Sequence, residues 1–232
     1  MQLLSKNSYT LYRTMTLRCA CYIIETVERC VLVDTSMRFE KDLVAKSIDT
    51  TKKKKIDAIF LTHSHTDHVA NAQCFSDVYH CKTYISEKGI ANMKKGCCAM
   101  PKGTTLFSKL ISKVGPKIPF YQFTRFQACP AVQPLNDEIV RLFLGESSEL
   151  IETPGHTNDS VSILFDHNVA IVGDAMVNNF ENLYPPFADD EKAIIASWHA
   201  LLETQCKMFF PAHGNMVHRE KLLSAYKKAA RV

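Results

Sequence analysis

A four-layer αβ/βα sandwich, an α/β (α+β) fold built as one domain over residues 1–232, is what this sequence predicts. Three observations carry the prediction. A β-hairpin pattern stands in each half of the chain: Cys21 to Glu25 with Cys30 to Asp34, and Val161 to Phe165 with Val169 to Asp174. Each half also contains stretches with helical spacing of apolar residues, suited to lie on a sheet. Finally, short apolar runs repeatedly end in polar islands bearing His or Asp. These are Thr62 to His68, Thr153 to Thr157, Val172 to Ala175 and Phe210 to Gly214.

The first hairpin turns through the polar residues Thr26 to Arg29. It ends at Val33-Asp34-Thr35-Ser36. Phe39 to Ile48 places Leu43, Val44 and Ile48 as a helix would, and Lys52 to Lys55 reads as a solvated turn. Ile56 to Leu61 is a nearly continuous apolar run, the mark of a buried strand. It delivers Thr62-His63-Ser64-His65-Thr66-Asp67-His68 at a strand-to-helix turn, with helix-compatible residues from Val69 to Phe75. Three imidazoles and a carboxylate packed this closely read as a metal site. Neutral nitrogens and carboxylate oxygens suit zinc, and manganese or iron as well, whereas no thiolate lies in the motif.

Thr83 to Ser86 reads as a strand and Glu87 to Lys95 as a helix. The pattern then breaks over residues 96–144, which hold Pro101, Pro116, Pro119, Pro130 and Pro134 and the aromatics Phe107, Phe120, Tyr121, Phe123 and Phe126. Leu106, Phe107, Leu110, Ile111 and Val114 repeat at helical spacing there and read as a core-facing stripe. The whole segment reads as an insertion, with a lid over the site or a contact in a homodimer as its expected role. Cys97-Cys98, near Lys94, Lys95 and Lys102, reads as an exposed turn, with redox chemistry the alternative.

In the second half Leu150 to Thr153 delivers His156. The hairpin around Asp166-His167-Asn168 delivers Asp174, and Met208 to Ala212 delivers His213. Residues 178–190, with Phe180, Tyr184, Pro185, Pro186 and Phe187, are expected as an apolar wall near the site. A helix starts at Asp189-Asp190, where acidic residues suit the helix dipole, and carries Ile194, Ile195, Trp198, Leu201 and Leu202. Arg219 to Arg231 reads as a terminal helix. His80, His167, His199 and His218 read as solvated or packing residues.

Composition narrows the class. The chain has 232 residues, 46% hydrophobic and 22% charged, as an ordinary globular protein does. There is no apolar run of about 18 residues, so no spanning helix is expected, and nothing at the N-terminus resembles a secretory signal. Nine cysteines without such a signal read as reduced thiols in a cytoplasmic protein. A net charge of +4 and a pI near 8.5 fall short of a nucleic-acid footprint, for which a pI above about 9 is the guide. The expected partner is a small-molecule substrate, with neither nucleic acid nor membrane.

Taken in order, H-x-H-x-D-H followed by isolated His, Asp and His resembles the metallo-β-lactamase superfamily over nearly the whole chain. The resemblance implies the αβ/βα metallo-β-lactamase sandwich and two metal ions, zinc by preference. His63, His65 and His156 would hold the first ion, Asp67, His68 and His213 the second, and Asp174 would bridge both. Val33-Asp34-Thr35 resembles the family's V-D-T-G segment, whose Asp supports the ligands, although Ser36 stands where Gly is usual. The implied chemistry is hydrolysis by a hydroxide held between two cations, with Asp67 orienting the nucleophile or passing a proton. Tyr184, placed near the site by its position after Asp174, reads as a packing residue, with donation to the oxyanion the alternative.

Departures from the family's subgroups shape the rest of the reading. True β-lactamases of the zinc-cysteine classes carry Cys where Asp174 stands. Flavodiiron proteins carry Glu where His65 stands. Ala175 to Phe180 does not match the segment that usually follows in glyoxalase II and the persulfide dioxygenases, and residues 96–144 are not the arm of a tRNA-processing nuclease. The reading is a dinuclear hydrolase of a small ester, lactone or thioester. A mononuclear-iron dioxygenase of the persulfide type and a glyoxalase-II-like thioesterase are the alternatives.

Overall fold

The computed structural model describes residues 1–230 apart from 7, 15, 115–123 and 179–181. The chain falls into two compact units: residues 1–98 with 122–146, and residues 99–121 with 147–232. The aromatics Phe120, Tyr121, Phe123 and Phe180 and the prolines Pro116 and Pro119 lie outside the described residues.

The first unit is a seven-stranded sheet whose strands run in sequence order. β1 (Gln2–Ser5), β2 (Tyr9–Arg13), β3 (Tyr22–Thr26) and β4 (Cys30–Val33) form an antiparallel meander. β3 and β4 are the expected hairpin, closed by Thr26 N–H to Arg29 O at 2.8 Å and by Arg29 N–H to Thr26 Oγ1 at 2.9 Å. β5 (Ala58–Leu61), β6 (Lys82–Ile85) and β7 (Gln133–Pro134) continue the sheet in parallel. Parallel pairing needs a crossover. Helix α1 (Lys41–Asp49) supplies it between β4 and β5, and α2 (Thr66–Val69) with α3 (Ala72–Tyr79) supplies it between β5 and β6. Val44 and Ile48 of α1 and Phe75 of α3 bury against Ile23, Leu32, Ile59 and Leu61, all shut off from solvent. The Lys52 to Lys55 turn is held by the Glu25 carboxylate, which accepts from Lys53 N–H at 2.7 Å.

Residues 96–144 divide between the two units. After α4 (Ile90–Lys95), residues 99–114 join the second unit and include α5 (Leu106–Val114). Residues 124–144 return to the first unit with β7 and α6 (Asp137–Leu144). Phe143 of α6 meets Phe60 and Tyr84 edge-on at centroid distances of 5.7 and 6.1 Å. The core role expected for the α5 stripe is overturned: Leu106 is 90% exposed and Phe107 74%.

The second unit is a five-stranded sheet in the order β12, β11, β10, β9, β8. Its strands are β8 (Glu149–Glu152), β9 (Val161–Phe165), β10 (Val169–Gly173), β11 (Met208–Pro211) and β12 (Val217–His218). β9 and β10 are the second expected hairpin, and Asp166 and His167 take its left-handed turn conformation at φ 56° and 49°. α7 (Glu191–Glu203) starts where Asp190 accepts from Lys192 N–H and Ala193 N–H. It buries Ile194, Trp198 and Leu201 against Ala170, Val172 and Phe209, beside α8 (Arg219–Ala229).

Candidate metal centre

In the first unit β5 ends at Leu61, and the chain turns through Thr62, His63 and His65 into the short α2. The imidazoles sit in a knot. His63 Nε2 lies 3.1 Å from His65 Nδ1, and the His63 and His68 rings are 4.0 Å apart. His63 and His68 are fully buried and His65 nearly so. Asp67, on the first turn of α2, is about one third exposed and has Oδ2 3.9 Å from His68 Nε2.

Asp34 sets the proton positions in this knot. Its carboxylate accepts from Thr62 N–H, from Thr62 Oγ1–H and from His68 Nδ1–H, each at 2.8 Å. A carboxylate only accepts, so the His68 proton is on Nδ1 and a lone pair is left on Nε2. Thr62 Oγ1 has given its one proton to Asp34 and so accepts from His63 Nδ1–H at 3.2 Å. His63 Nε2 therefore also carries a lone pair. Support of this kind fixes ring orientation and ligand basicity. Neither Thr62 nor its link to His63 was singled out in the sequence, because a threonine beside a histidine has no signature of its own.

The departure from V-D-T-G is accommodated by side chains. Asp34 and Ser36 both take positive φ, 61° and 58°. Ser36 Oγ donates to the buried Glu40 carboxylate, which also accepts from Leu17 N–H and Arg18 N–H. Asn71 Nδ2 donates to the carbonyls of Thr35, Ser36 and Met37. Cys19 Sγ packs 3.6 Å from His68 Nδ1. Burial, reinforced by Cys21, Asp34 and Asp67, holds this thiol well above its usual pKa, so the sulfur is a neutral neighbour of the ring.

In the second unit three loops at strand ends carry His156, Asp174 and His213. Asp174 Oδ2 stands 3.4 Å from His156 Nε2 and 3.4 Å from His213 Nε2. His156 Nδ1–H donates to the Phe187 carbonyl at 2.8 Å, which again leaves the lone pair on Nε2. Two glycines make these approaches fit. A Cβ on Gly155, at φ 131°, would come within 2.5 Å of Ile194 N, and one on Gly214, at φ 96°, within 2.3 Å of Asn178 O. Asn178 N–H in turn donates to His213 O at 2.8 Å. The Phe187 carbonyl and Asn178 were not foreseen as site residues, since a backbone acceptor leaves no trace in side-chain identity.

Tyr184 is placed otherwise than an oxyanion donor requires. Its hydroxyl donates to Glu191 Oε2 at 3.1 Å and its ring meets Trp198 edge-on at 5.9 Å. Burial and the Glu191 carboxylate both raise its pKa. With Leu183, Trp198, Lys221, Ala225 and Lys228 it lines a cavity of about 640 Å³ to which none of the seven expected ligands contributes. Of the aromatics expected there, Tyr184 thus faces α7 and α8, while the Phe187 backbone lies at His156.

The donor chemistry of both units fits metal binding: imidazole nitrogen and carboxylate oxygen, with the Nε2 lone pairs of His63, His68 and His156 set by their Nδ1 partners.

The sequence model of the Metallo-beta-lactamase superfamily matches residues 15–213. "Probable metallo-hydrolase MJ0296" of Methanocaldococcus jannaschii is 26% identical over 200 residues, covering 83% of this chain and 75% of that protein. "Beta-lactamase-like protein 2 homolog" of Drosophila melanogaster is 26% identical over 202 residues, 84% of this chain and 58% of the relative. Among solved structures, metallo-beta-lactamase family protein TTHA1429 of Thermus thermophilus superposes with a TM-score of 0.71 at 16% identity, over 95% of this chain and 79% of that one. BJP-1, a subclass B3 metallo-beta-lactamase of Bradyrhizobium japonicum, gives 0.70 at 16% identity, over 98% and 90%. Likeness of this extent carries the αβ/βα sandwich fold class, and with the family match it establishes the chain as a member of the metallo-β-lactamase superfamily.

Proposed function

We propose that the chain is a dinuclear metal-dependent hydrolase of small esters, lactones or thioesters, in which the two clusters compose one centre. His63, His65 and His156 would hold one ion, Asp67, His68 and His213 the other, with Asp174 shared. The observation that carries the reading is the Asp174 carboxylate, with one oxygen equidistant from His156 Nε2 and His213 Nε2. Family membership and the metallo-hydrolase name of a relative support the reaction class.

Two bound cations would supply a water of lowered pKa and polarisation of the acyl oxygen. The protein's own residues do the rest. Asp34 and Thr62 keep His63 and His68 in the tautomer that offers Nε2, and the Phe187 carbonyl does the same for His156. Asp67, the most exposed of the acidic ligands, is suited to orient the attacking water. It can also take up the proton that must reach the leaving group.

The test is a comparison of kcat/KM for a neutral ester, a lactone, a thioester, a phosphodiester and a β-lactam, each with and without a chelator. The expected result is chelator-sensitive turnover with the acyl compounds ahead. A chelator-sensitive preference for the phosphodiester or the β-lactam overturns the substrate class, and one iron per active chain would favour the dioxygenase alternative.

A further inference from the structure

Helix α5 is amphipathic with its faces reversed. At about 100° per residue, Leu106, Leu110, Val114, Phe107 and Ile111 share an arc of about 140°. Lys109 and Lys113 border this arc, and Ser108 and Ser112 lie beyond them. A helix of a globular protein buries the apolar arc. Here Ser108 is 2% exposed, whereas Leu106, Phe107, Leu110 and Val114 are exposed at 90, 74, 59 and 42%.

The serine face is built in. Ser108 Oγ accepts from Thr105 N–H at 2.9 Å, Ser108 N–H donates to Thr105 Oγ1 at 3.1 Å, and Ser112 Oγ donates to Pro101 O at 2.8 Å. Gly103 lies beneath, where a Cβ would come within 2.1 Å of Lys109 N. Rolling the helix to bury its apolar arc would break the Ser112 to Pro101 bond and the close approach to Gly103.

We propose that α5 is a membrane-docking helix, its apolar arc seated at the headgroup boundary of an anionic lipid surface with Lys109 and Lys113 against the phosphates. Charge selects this occupant. Residues 99–114 contain Lys102, Lys109 and Lys113 and no acidic residue, in a chain of net charge +4. Lysines at the edge of an apolar arc can extend to the headgroups while the arc enters the acyl region. An isologous contact with a second copy would instead set the same lysines against each other. No helix of the described residues is long and apolar enough to cross a membrane, so attachment would be at the surface. This revises the expectation of no membrane partner.

Docking would also bear on the site. Gly103 bridges Phe187, and Thr104 donates to the Pro186 and Pro185 carbonyls at 2.9 and 2.8 Å. The Phe187 carbonyl holds His156. The docking helix and a proposed metal ligand thus share one loop. Resting on the hydrolase reading, the substrate class narrows to lipophilic acyl esters that partition into a bilayer.

The experiment uses the full chain and phosphatidylcholine vesicles with or without one quarter phosphatidylglycerol. The native Trp198 is 1% exposed, so in Phe107→Trp a vesicle-induced blue shift reports on the arc. Expected are a blue shift and co-sedimentation with the anionic vesicles. Binding should be lost in Leu106→Ser/Leu110→Ser and weakened at least about tenfold in Lys109→Glu/Lys113→Glu. Circular dichroism and metal content of each variant verify its fold. The readout needs no turnover, so it stands or falls apart from the hydrolase reading. Failure of the wild type to bind anionic vesicles overturns the proposal. So does a dimer in sedimentation velocity that Leu106→Ser/Leu110→Ser converts to monomer, since a second copy would then cover the arc.

Discussion

Replacing Asp34 by Asn removes one charge and changes almost nothing else. The position sits at φ 61°, and Asn tolerates that left-handed conformation as well as Asp does, so the backbone is not a confounder. The amide has one acceptor where the carboxylate had two. If its NH2 takes the Oδ1 place, it meets the Thr62 N–H, a donor that cannot change. If it takes the Oδ2 place, it meets Thr62 Oγ1–H and His68 Nδ1–H, and relief requires His68 to move its proton to Nε2, the atom offered to metal. Losing a buried charge-assisted hydrogen bond costs about 1.5–3 kcal/mol. Metal affinity falls about 10- to 100-fold when such a support is removed. Urea unfolding of the metal-free protein should give the first figure, and zinc competition against a chromophoric chelator the second. Wild-type zinc affinity in Asp34→Asn would refute the argument that Asp34 fixes the imidazole tautomers.

Three further outcomes follow from the same contacts. Tyr184→Phe should change kcat by less than about threefold and lower stability by about 0.5–1.5 kcal/mol; a fall of about 100-fold in kcat, the scale of a lost oxyanion donor, would restore the catalytic alternative drawn from the sequence. Gly214→Ala should cost more than about 2 kcal/mol in denaturant unfolding, since its Cβ would meet Asn178 O, and should lower metal content through the displaced His213 loop. Ser36→Ala keeps the positive φ but removes the donor to Glu40, and should destabilise by about 1–3 kcal/mol; a neutral result in thermal and urea unfolding would show that Glu40 needs no third donor.

How much of this was legible in the sequence depended on whether a residue acts through its own side chain. Runs such as Ile56 to Leu61 and the β9–β10 pair are nearly continuously apolar because both faces are covered, and such runs stand out. The N-terminal strands Gln2–Ser5 and Tyr9–Arg13 mix polar with apolar residues without a regular period, and β7 is two residues long and held by its neighbour's register. Neither gave a signal. The periodicity of α5 was legible as a helix but not as to which side faces inward, because Thr105, Pro101 and Gly103 decide that through short-range bonds. Asp34 was recognised from its motif, whereas Thr62, Asn178 and the Phe187 carbonyl act through geometry that only the fold creates. Tyr184 lies close in sequence to Asp174, yet Glu191 and Trp198 draw it to α7.

The central claim is that two metal ions are held with Asp174 common to both, and metal stoichiometry tests it most directly. Elemental analysis of protein reconstituted with zinc should give two ions per wild-type chain and one or fewer in Asp174→Ala, with turnover abolished in the variant. Two ions retained in Asp174→Ala, or a single ion in fully active wild type, would contradict the account.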